Sequence, residues 1–361
     1  MTIAQKLATP VRSYFNPRFE AVVSRLSTLN EGVDDLRSHL ELVESKLEGS
    51  SDTRGRSAAD EARLHQAELL GRLDLRDHNA GGRVADFGAL ECQAVSAGQC
   101  DHPKYMRWAT LIENWEGDPA GRQYNRKVWE WAFILQALED EGLLEEGGTA
   151  VGFGVGNEPM PALLASHGIE VLATDQGWES GSEWATTHEL MGGDLTGLSR
   201  PHIVDDARLA TLVRLREVDM NAVPADIGQF DIVWSSCVIE HLGSPQRGMD
   251  FVLESCNLLR PGGIAVHTTE LELTPQSETK DYGHCAVYRI GDLQDLARRI
   301  PEVGGEATFN FAVSMDRFED RWISLIHTGH GRDLLDGPHL KLAIGDSVST
   351  SFGILIRKSG A

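Results

Sequence analysis

Five cysteines are spread over 361 residues, at Cys92, Cys100, Cys237, Cys256 and Cys285. The number is odd, the spacing is irregular, and no two stand as Cys-x-x-Cys. That pattern excludes a zinc ribbon and a disulfide framework. Cys92, Cys100 and His102 come nearest to a ligand set, but scattered structural cysteines are the simpler reading. Positive charge is also short: 33 Lys+Arg stand against 55 Asp+Glu, for a net charge of -22. A nucleic-acid or anionic-membrane partner leaves a basic footprint, and none is found, so neither partner is expected. No apolar run reaches the ~18 residues of a membrane span, and the N-terminus lacks a basic-then-apolar signal pattern. The expected location is cytoplasmic. What is present is a hydrophobic fraction of 41%, enough for a sizeable core.

The chain divides by pattern into three parts. In the first, residues 1–60, Phe19, Val22, Leu26, Leu29, Val33, Leu36, Leu40, Val43 and Leu47 alternate spacings of three and four. This is the a/d seam of a coiled coil over about four heptads, and it predicts a homo-oligomer formed through residues 19–47. The alternative is a lone amphipathic helix folding back on the rest. Gly49 to Asp60 is small, polar and charged, as a linker would be. Residues 61–142 form a helical lead-in. There Val128, Trp131, Leu135 and Leu138 make one apolar stripe, and Gly142 suits a C-terminal cap. Residues 143–361 carry the alternating pattern of strands and helices, with the clearest signals in 149–270. Alternation of this kind predicts a parallel sheet with helices on both faces.

The run Thr149 to Pro159 reads as a buried strand, a turn Gly154-Val155-Gly156, and a helix start. Glycine lets backbone approach a ligand closely, and the following helix points its first amides at the same place. A second strand, Ile169 to Thr174, ends on Asp175, where an acid would hold a pair of ribose hydroxyls. The pattern predicts an adenosine-type cofactor. A dinucleotide turn would read Gly-x-Gly-x-x-Gly, and here Pro159 stands at its last position. A triphosphate loop would need Gly-Lys-Ser/Thr, which is absent.

Later motifs narrow the choice. Val218-Asp219-Met220 ends a strand with an acid suited to an adenine amino group and a methionine suited to cover the ring. Gln229 to Ser236 holds a strand, Phe230 to Ser235, opening on Phe-Asp, followed by Val238-Ile239-Glu240-His241-Leu242. Arg260-Pro261-Gly262-Gly263 then reads as a turn into a strand at Ile264. In this order the set resembles the class I S-adenosylmethionine-dependent methyltransferases, and more loosely the bacterial ones of surface-polysaccharide and natural-product gene clusters. The looser likeness rests on Arg126-Lys127-Val128-Trp129-Glu130, the Gly-Phe-Gly-Val-Gly-x-Glu-Pro turn, His267-Thr268-Thr269-Glu270, and two C-terminal pieces at His339–Leu342 and Thr350–Gly353.

The resemblance implies a Rossmann-like, doubly wound, mostly parallel seven-stranded sheet. It also implies S-adenosylmethionine as cofactor and a small polar acceptor, a hydroxyl or an amine, as in a sugar or secondary metabolite. Gly154, Val155, Gly156, Glu158, Asp175, Asp219, Met220 and Ser235 would contact the cofactor; Ser236, Glu270 and His284 would contact the acceptor. In the resembling family the helix bearing Trp129 and Glu130 closes over the cofactor, though a core tryptophan fits as well. Tyr282 and Tyr288 fall on a segment that often lines the acceptor pocket.

Two departures stand out. The acid often found two residues before the first turn glycine is Gly152, and the third glycine of the common turn is Glu158. Glu158 would cap the helix start or accept a hydrogen bond from the cofactor's ammonium group. These departures also support an alternative, a non-catalytic cofactor-binding scaffold acting through the coiled coil. Asp231 is expected to support the fold at its strand start. For removal of an acceptor proton, His241 is the first candidate and His267 the second. A related Glu-x-x-Glu-His stretch binds a divalent metal in some methyltransferases. Cys237 replaces its first glutamate here, and no metal is predicted, although His267 or His284 would complete a ligand set.

Overall fold

Apolar residues run unbroken through Ala150-Val151, Ile232-Val233-Trp234 and Ile264-Ala265-Val266, and all of them are buried. Burial on both faces is the mark of parallel strands covered by helices. A computed structural model has this arrangement. It describes residues 58–361 except 81, 116, 120, 177–192, 277, 282–284, 326–336, 346 and 361, with backbone alone for 58–61. The predicted heptad seam over 19–47 therefore lies outside the described residues, as do Tyr282 and His284. Contacts divide the chain into two units, Met1–Glu61 and Ala62–Ala361, and the second holds every strand of the described residues.

In chain order the strands are β1 (Cys92–Ala94), β2 (Thr149–Phe153), β3 (Glu170–Asp175), β4 (Val213–Glu217), β5 (Phe230–Ser236), β6 (Leu259–Glu272), β7 (Lys280–Asp281), β8 (Ala286–Val287), β9 (Gly305–Glu306), β10 (Phe309–Asn310), β11 (Ile323–Ser324), β12 (Lys341–Ile344) and β13 (Ser347–Lys358) among the described residues. The main sheet runs β10-β1-β13-β6-β5-β2-β3-β4, with β9, β11 and β12 attached. The five from β6 to β4 are parallel. β13 lies antiparallel beside β6, pairing from Ser349↔Glu272 to Arg357↔Ile264. The sheet is thus eleven-stranded among the described residues, not seven-stranded. The added strands are two to four residues long, too short to carry a period legible in sequence.

A second difference from expectation lies at Arg260 to Gly263. These residues belong to β6, which starts at Leu259, and the register against β5 slips between Phe230 and Ile232. The irregularity holds Gly262 at φ 83°. Asp231 supports the strand start as expected. Its Oδ2 accepts from Thr149 N at 2.9 Å, Thr149 Oγ1 at 2.8 Å and Arg260 Nη1 at 2.9 Å.

The lead-in helix Arg126–Asp140 begins where Asn125 accepts a hydrogen bond from Lys127 N, and the chain turns away at Gly142, φ 71°. It buries Val128, Trp129, Ala132, Phe133 and Leu135. Gly353 of β13 has no room for a side chain, because Phe133 would lie 2.4 Å from its Cβ. That close approach brings the first turn of the helix to the edge where the parallel strands end.

Candidate active site

Ligands of open α/β sheets bind beyond the carboxyl ends of the strands. Here that edge is formed by Phe153, Asp175, Glu217 and Ser236, and β6 runs on past Thr268, where its pairing with β5 stops. Gly154 and Gly156 leave β2 with φ 60° and 52°, the left-handed region that glycine enters without strain. A Cβ on Gly154 would stand 2.3 Å from Val238 Cγ2, so Val238 closes directly over the turn. Val155 is buried, and its amide donates to Thr174 O at 3.1 Å. Asp175 accepts from Gly156 N through Oδ2 and from Gln176 N through Oδ1, both at 2.8 Å. The predicted ribose ligand therefore also clasps the glycine turn onto β3. Asp219 follows β4, exposed, with Oδ1 accepting from Asn221 N at 2.8 Å, while Met220 beside it is buried.

Glu158 does not cap a helix. The helix Met160–Ser166 has Pro159 at its N-cap and no side-chain cap. The Glu158 carboxylate instead turns inward, 9% exposed. There Trp234 Nε1 donates to Oε1 at 2.6 Å and Trp131 Nε1 to Oε2 at 3.0 Å. Burial pushes its pKa up to about 7, against the pull of Trp234, Lys127 and Trp131. Gly152 pairs with Trp234 across β2 and β5, and a Cβ on Gly152 would lie 2.1 Å from the indole. The place of the missing acid at 152 is therefore filled by Trp234.

Beyond β5 and β6 a buried polar network gathers on Glu130, which has no exposed side-chain surface. Oε1 accepts from Ser351 Oγ at 2.5 Å and Cys237 Sγ at 3.1 Å, and lies 3.1 Å from Arg126 Nη1. Oε2 lies 3.0 Å from Lys127 Nζ and 3.2 Å from Ser236 Oγ. Burial alone would raise the pKa of Glu130, but Lys127, Arg126 and these hydrogen bonds hold it at about 2. Arg126 Nη1 also reaches Glu270 Oε1 at 2.5 Å, and Glu270 accepts from Ser349 Oγ at 2.7 Å. Glu240, 3% exposed, accepts from Thr269 Oγ1 at 3.1 Å. Burial, then the neighbouring Glu270, pushes its carboxyl up to about 8. Cys237, Glu240 and Glu270 bring ligand atoms within 4.8 Å of one another. Arg126 already places its positive charge there, and its charge opposes that of a metal ion.

The two histidines differ sharply. His267 is fully buried, with Nδ1 at 2.8 Å from Ser235 Oγ and Nε2 at 2.9 Å from Ser255 Oγ. Burial lowers its pKa to about 3. No ring nitrogen is left to take a proton or bind a metal, so His267 is a core residue. Ser235, expected at the cofactor, is its partner and equally buried. His241 ends the short 3-10 turn Ile239–His241, half-buried. Tyr288 braces that turn by donating to Ile239 O at 3.2 Å. Trp129 is core, donating to Gln99 Oε1 at 2.8 Å. Sequence reasoning missed Trp131, Trp234 and Arg126. Each sits inside a pattern with another explanation, an apolar stripe, a buried strand or a family lead-in, and nothing in the order of residues joins 152, 158 and 234.

Residues 151–267 match the family model described as Methyltransferase domain. No curated protein matches the chain. Among solved structures, the S-adenosylmethionine dependent methyltransferase from Mesorhizobium loti is similar at 14% identity and a TM-score of 0.38, covering 62% of this chain and 96% of that one. Magnesium protoporphyrin IX methyltransferase from Synechocystis, with bound S-adenosylhomocysteine, is similar at 11% identity and a TM-score of 0.38, covering 71% of this chain and 94% of that one.

Proposed function

We propose that this protein is an S-adenosylmethionine-dependent methyltransferase acting on a small polar acceptor through a hydroxyl or amine. The observation that carries the reading is the glycine turn at Gly154 and Gly156, clasped by Asp175 at the carboxyl edge of a parallel sheet, inside the stretch matched by the methyltransferase domain. S-adenosylmethionine supplies an activated methyl group when bound. The turn Gly154-Val155-Gly156 would hold its methionine end together with Glu158. Asp175 would hold the ribose hydroxyls, since a carboxylate offers about four acceptor sites and can serve backbone amides and a ligand at once. Asp219 and Met220 would take the adenine, and Asp219 is exposed and able to reorient.

On the acceptor side, Arg126, Glu240 and Glu270 cluster with Cys237, which follows Ser236 at the end of β5 and directly precedes Val238 on the glycine turn. Buried polar groups that converge in this way suit orientation of a polar acceptor, and an aligned acceptor contributes to rate by proximity. His241 is the acceptor base in this reading, since it stands at the same edge with partial access to solvent. The scaffold alternative loses its support, because the two departures behind it, Gly152 and Glu158, form a fitted arrangement with Trp234.

The test is binding of tritiated S-adenosylmethionine by the full chain, followed by transfer to a panel of hydroxyl and amine acceptors. Saturable binding and label in one acceptor are expected. For that acceptor His241→Ala should lower kcat by about 100-fold or more with cofactor binding retained. Folded protein that binds no S-adenosylmethionine would remove the proposal.

A further inference from the structure

A carboxylate that has left solvent needs donors, and it needs a reason to be there. Glu158 has two indole donors, one on each oxygen, from two different elements: Trp234 on β5 and Trp131 on the helix Arg126–Asp140. An ionised carboxylate offers about four acceptor sites, so each Glu158 oxygen can accept one bond more. Trp234 can reach Glu158 only because residue 152 lacks a side chain; its indole occupies the volume that a Cβ there would enter. β2 therefore has no acid of its own before the turn; Asp175 clasps the turn from β3, and Glu158 is the carboxylate that the two indoles hold on its far side. We propose that Trp131 and Trp234 are positioning residues that aim the Glu158 carboxylate at the ammonium group of the cofactor's methionine end, an inference that rests on S-adenosylmethionine being the ligand of the turn.

The groups that face Glu158 set the pH at which this works. From the lead-in helix, Lys127 favours its charged form and Glu130 opposes it; Trp131 on that helix and Trp234 on β5 both favour it. Burial opposes all three helpers, and the carboxyl titrates near pH 7. The sign follows from the ligand's charge. An ammonium group binds the carboxylate and not the acid, so affinity for the intact cofactor rises with pH through about 7 and then levels. Loss of an N–H donor disfavours the carboxylate and moves that midpoint upward.

The experiment is calorimetric titration of the full chain, between pH 6 and 8.5, with S-adenosylhomocysteine and with methylthioadenosine. The second ligand keeps the adenosine and lacks the ammonium and carboxylate. Glu158→Gln should weaken S-adenosylhomocysteine by about 10-fold or more, the value of a charge-assisted hydrogen bond, and leave methylthioadenosine unchanged. Trp234→Phe should weaken S-adenosylhomocysteine by a smaller factor and shift the midpoint of its pH dependence upward. Trp131→Phe should do the same and serves if the β5 variant fails to fold, since Trp131 is only half-buried. Equal weakening of both ligands by Glu158→Gln, or Trp variants whose pH midpoint stays put, would overturn the inference while leaving the cofactor reading intact. A wild-type protein that binds neither ligand removes the cofactor reading, and this inference with it.

Discussion

His267 and His241 show how one residue type takes two roles according to what surrounds it. His267 lies between Ser235 and Ser255 with no exposure, and its folded pKa is depressed to about 3. A base held neutral in the native state binds fewer protons than in the unfolded chain, whose histidine titrates near 6.5. Its contribution to stability is therefore full above pH 6.5 and is lost as pH falls toward 3. His267→Ala should cost about 2 kcal/mol or more, through a cavity and two serine hydroxyls left short of a partner. It should also flatten the acid limb of a plot of Tm against pH. Thermal melts of both proteins from pH 4 to 8 provide the check, and the acceptor pH profile should be unmoved. Sequence placed His267 at the end of its strand; it lies inside β6, which runs on to Glu272. The sequence did not show which way the ring points, because that is decided by Ser255, twelve residues back on another element.

At the scale of elements, β2, β3, β5 and the helix Pro245–Ser255 were legible because each carries an apolar run or a capped start, whereas the helix Asp206–Leu212 and the alternating β4 were not. The first turn of the lead-in helix was legible only as a family likeness. Its place is visible in three dimensions, where Arg126, Lys127 and Glu130 meet Ser236 of β5, Cys237 just after it, Thr268 of β6 and Ser351 of β13. Such a network cannot be read from spacing, since its members lie up to 225 residues apart. Removing the shared carboxylate leaves buried Arg126 with Glu270 alone and takes an acceptor from Ser236, Cys237 and Ser351, a loss of up to about 3–5 kcal/mol. Glu130→Ala should therefore lower the unfolding free energy by that order in urea titrations. Lys127→Ala should cost much less, because Lys127 is 38% exposed and water screens it. Equal losses would mean that the helix is held by its apolar face alone.

For the whole molecule, the sheet brings the proposed cofactor residues Gly154, Gly156 and Asp175 and the proposed acceptor residues Ser236 and Glu270 to one edge. The polar residues of the other edge, including Arg83, Asp86, Glu91, Asp140 and Arg357, line an open cleft near the strand starts, away from the turn. None of the described helices is long and apolar enough to cross a membrane. The heptad seam of 19–47 gives a prediction at this scale. Leu29→Asp together with Leu36→Asp in the full chain should reduce the mass found by light scattering to that of one chain, with cofactor binding kept. An unchanged mass would count against association through the seam.

The pairing of Gly152 with Trp234 also constrains the order in which this site could have arisen or could be altered. With Trp234 in place, any side chain at 152 collides with the indole. With a smaller residue at 234 and glycine still at 152, the sheet has a hole and Glu158 loses a donor. Neither single step toward an acid at 152 is neutral, so the arrangement with an acid there and the present one are separated by a valley and not by a slope. The two positions should behave as one inherited character, exchanged together or not at all.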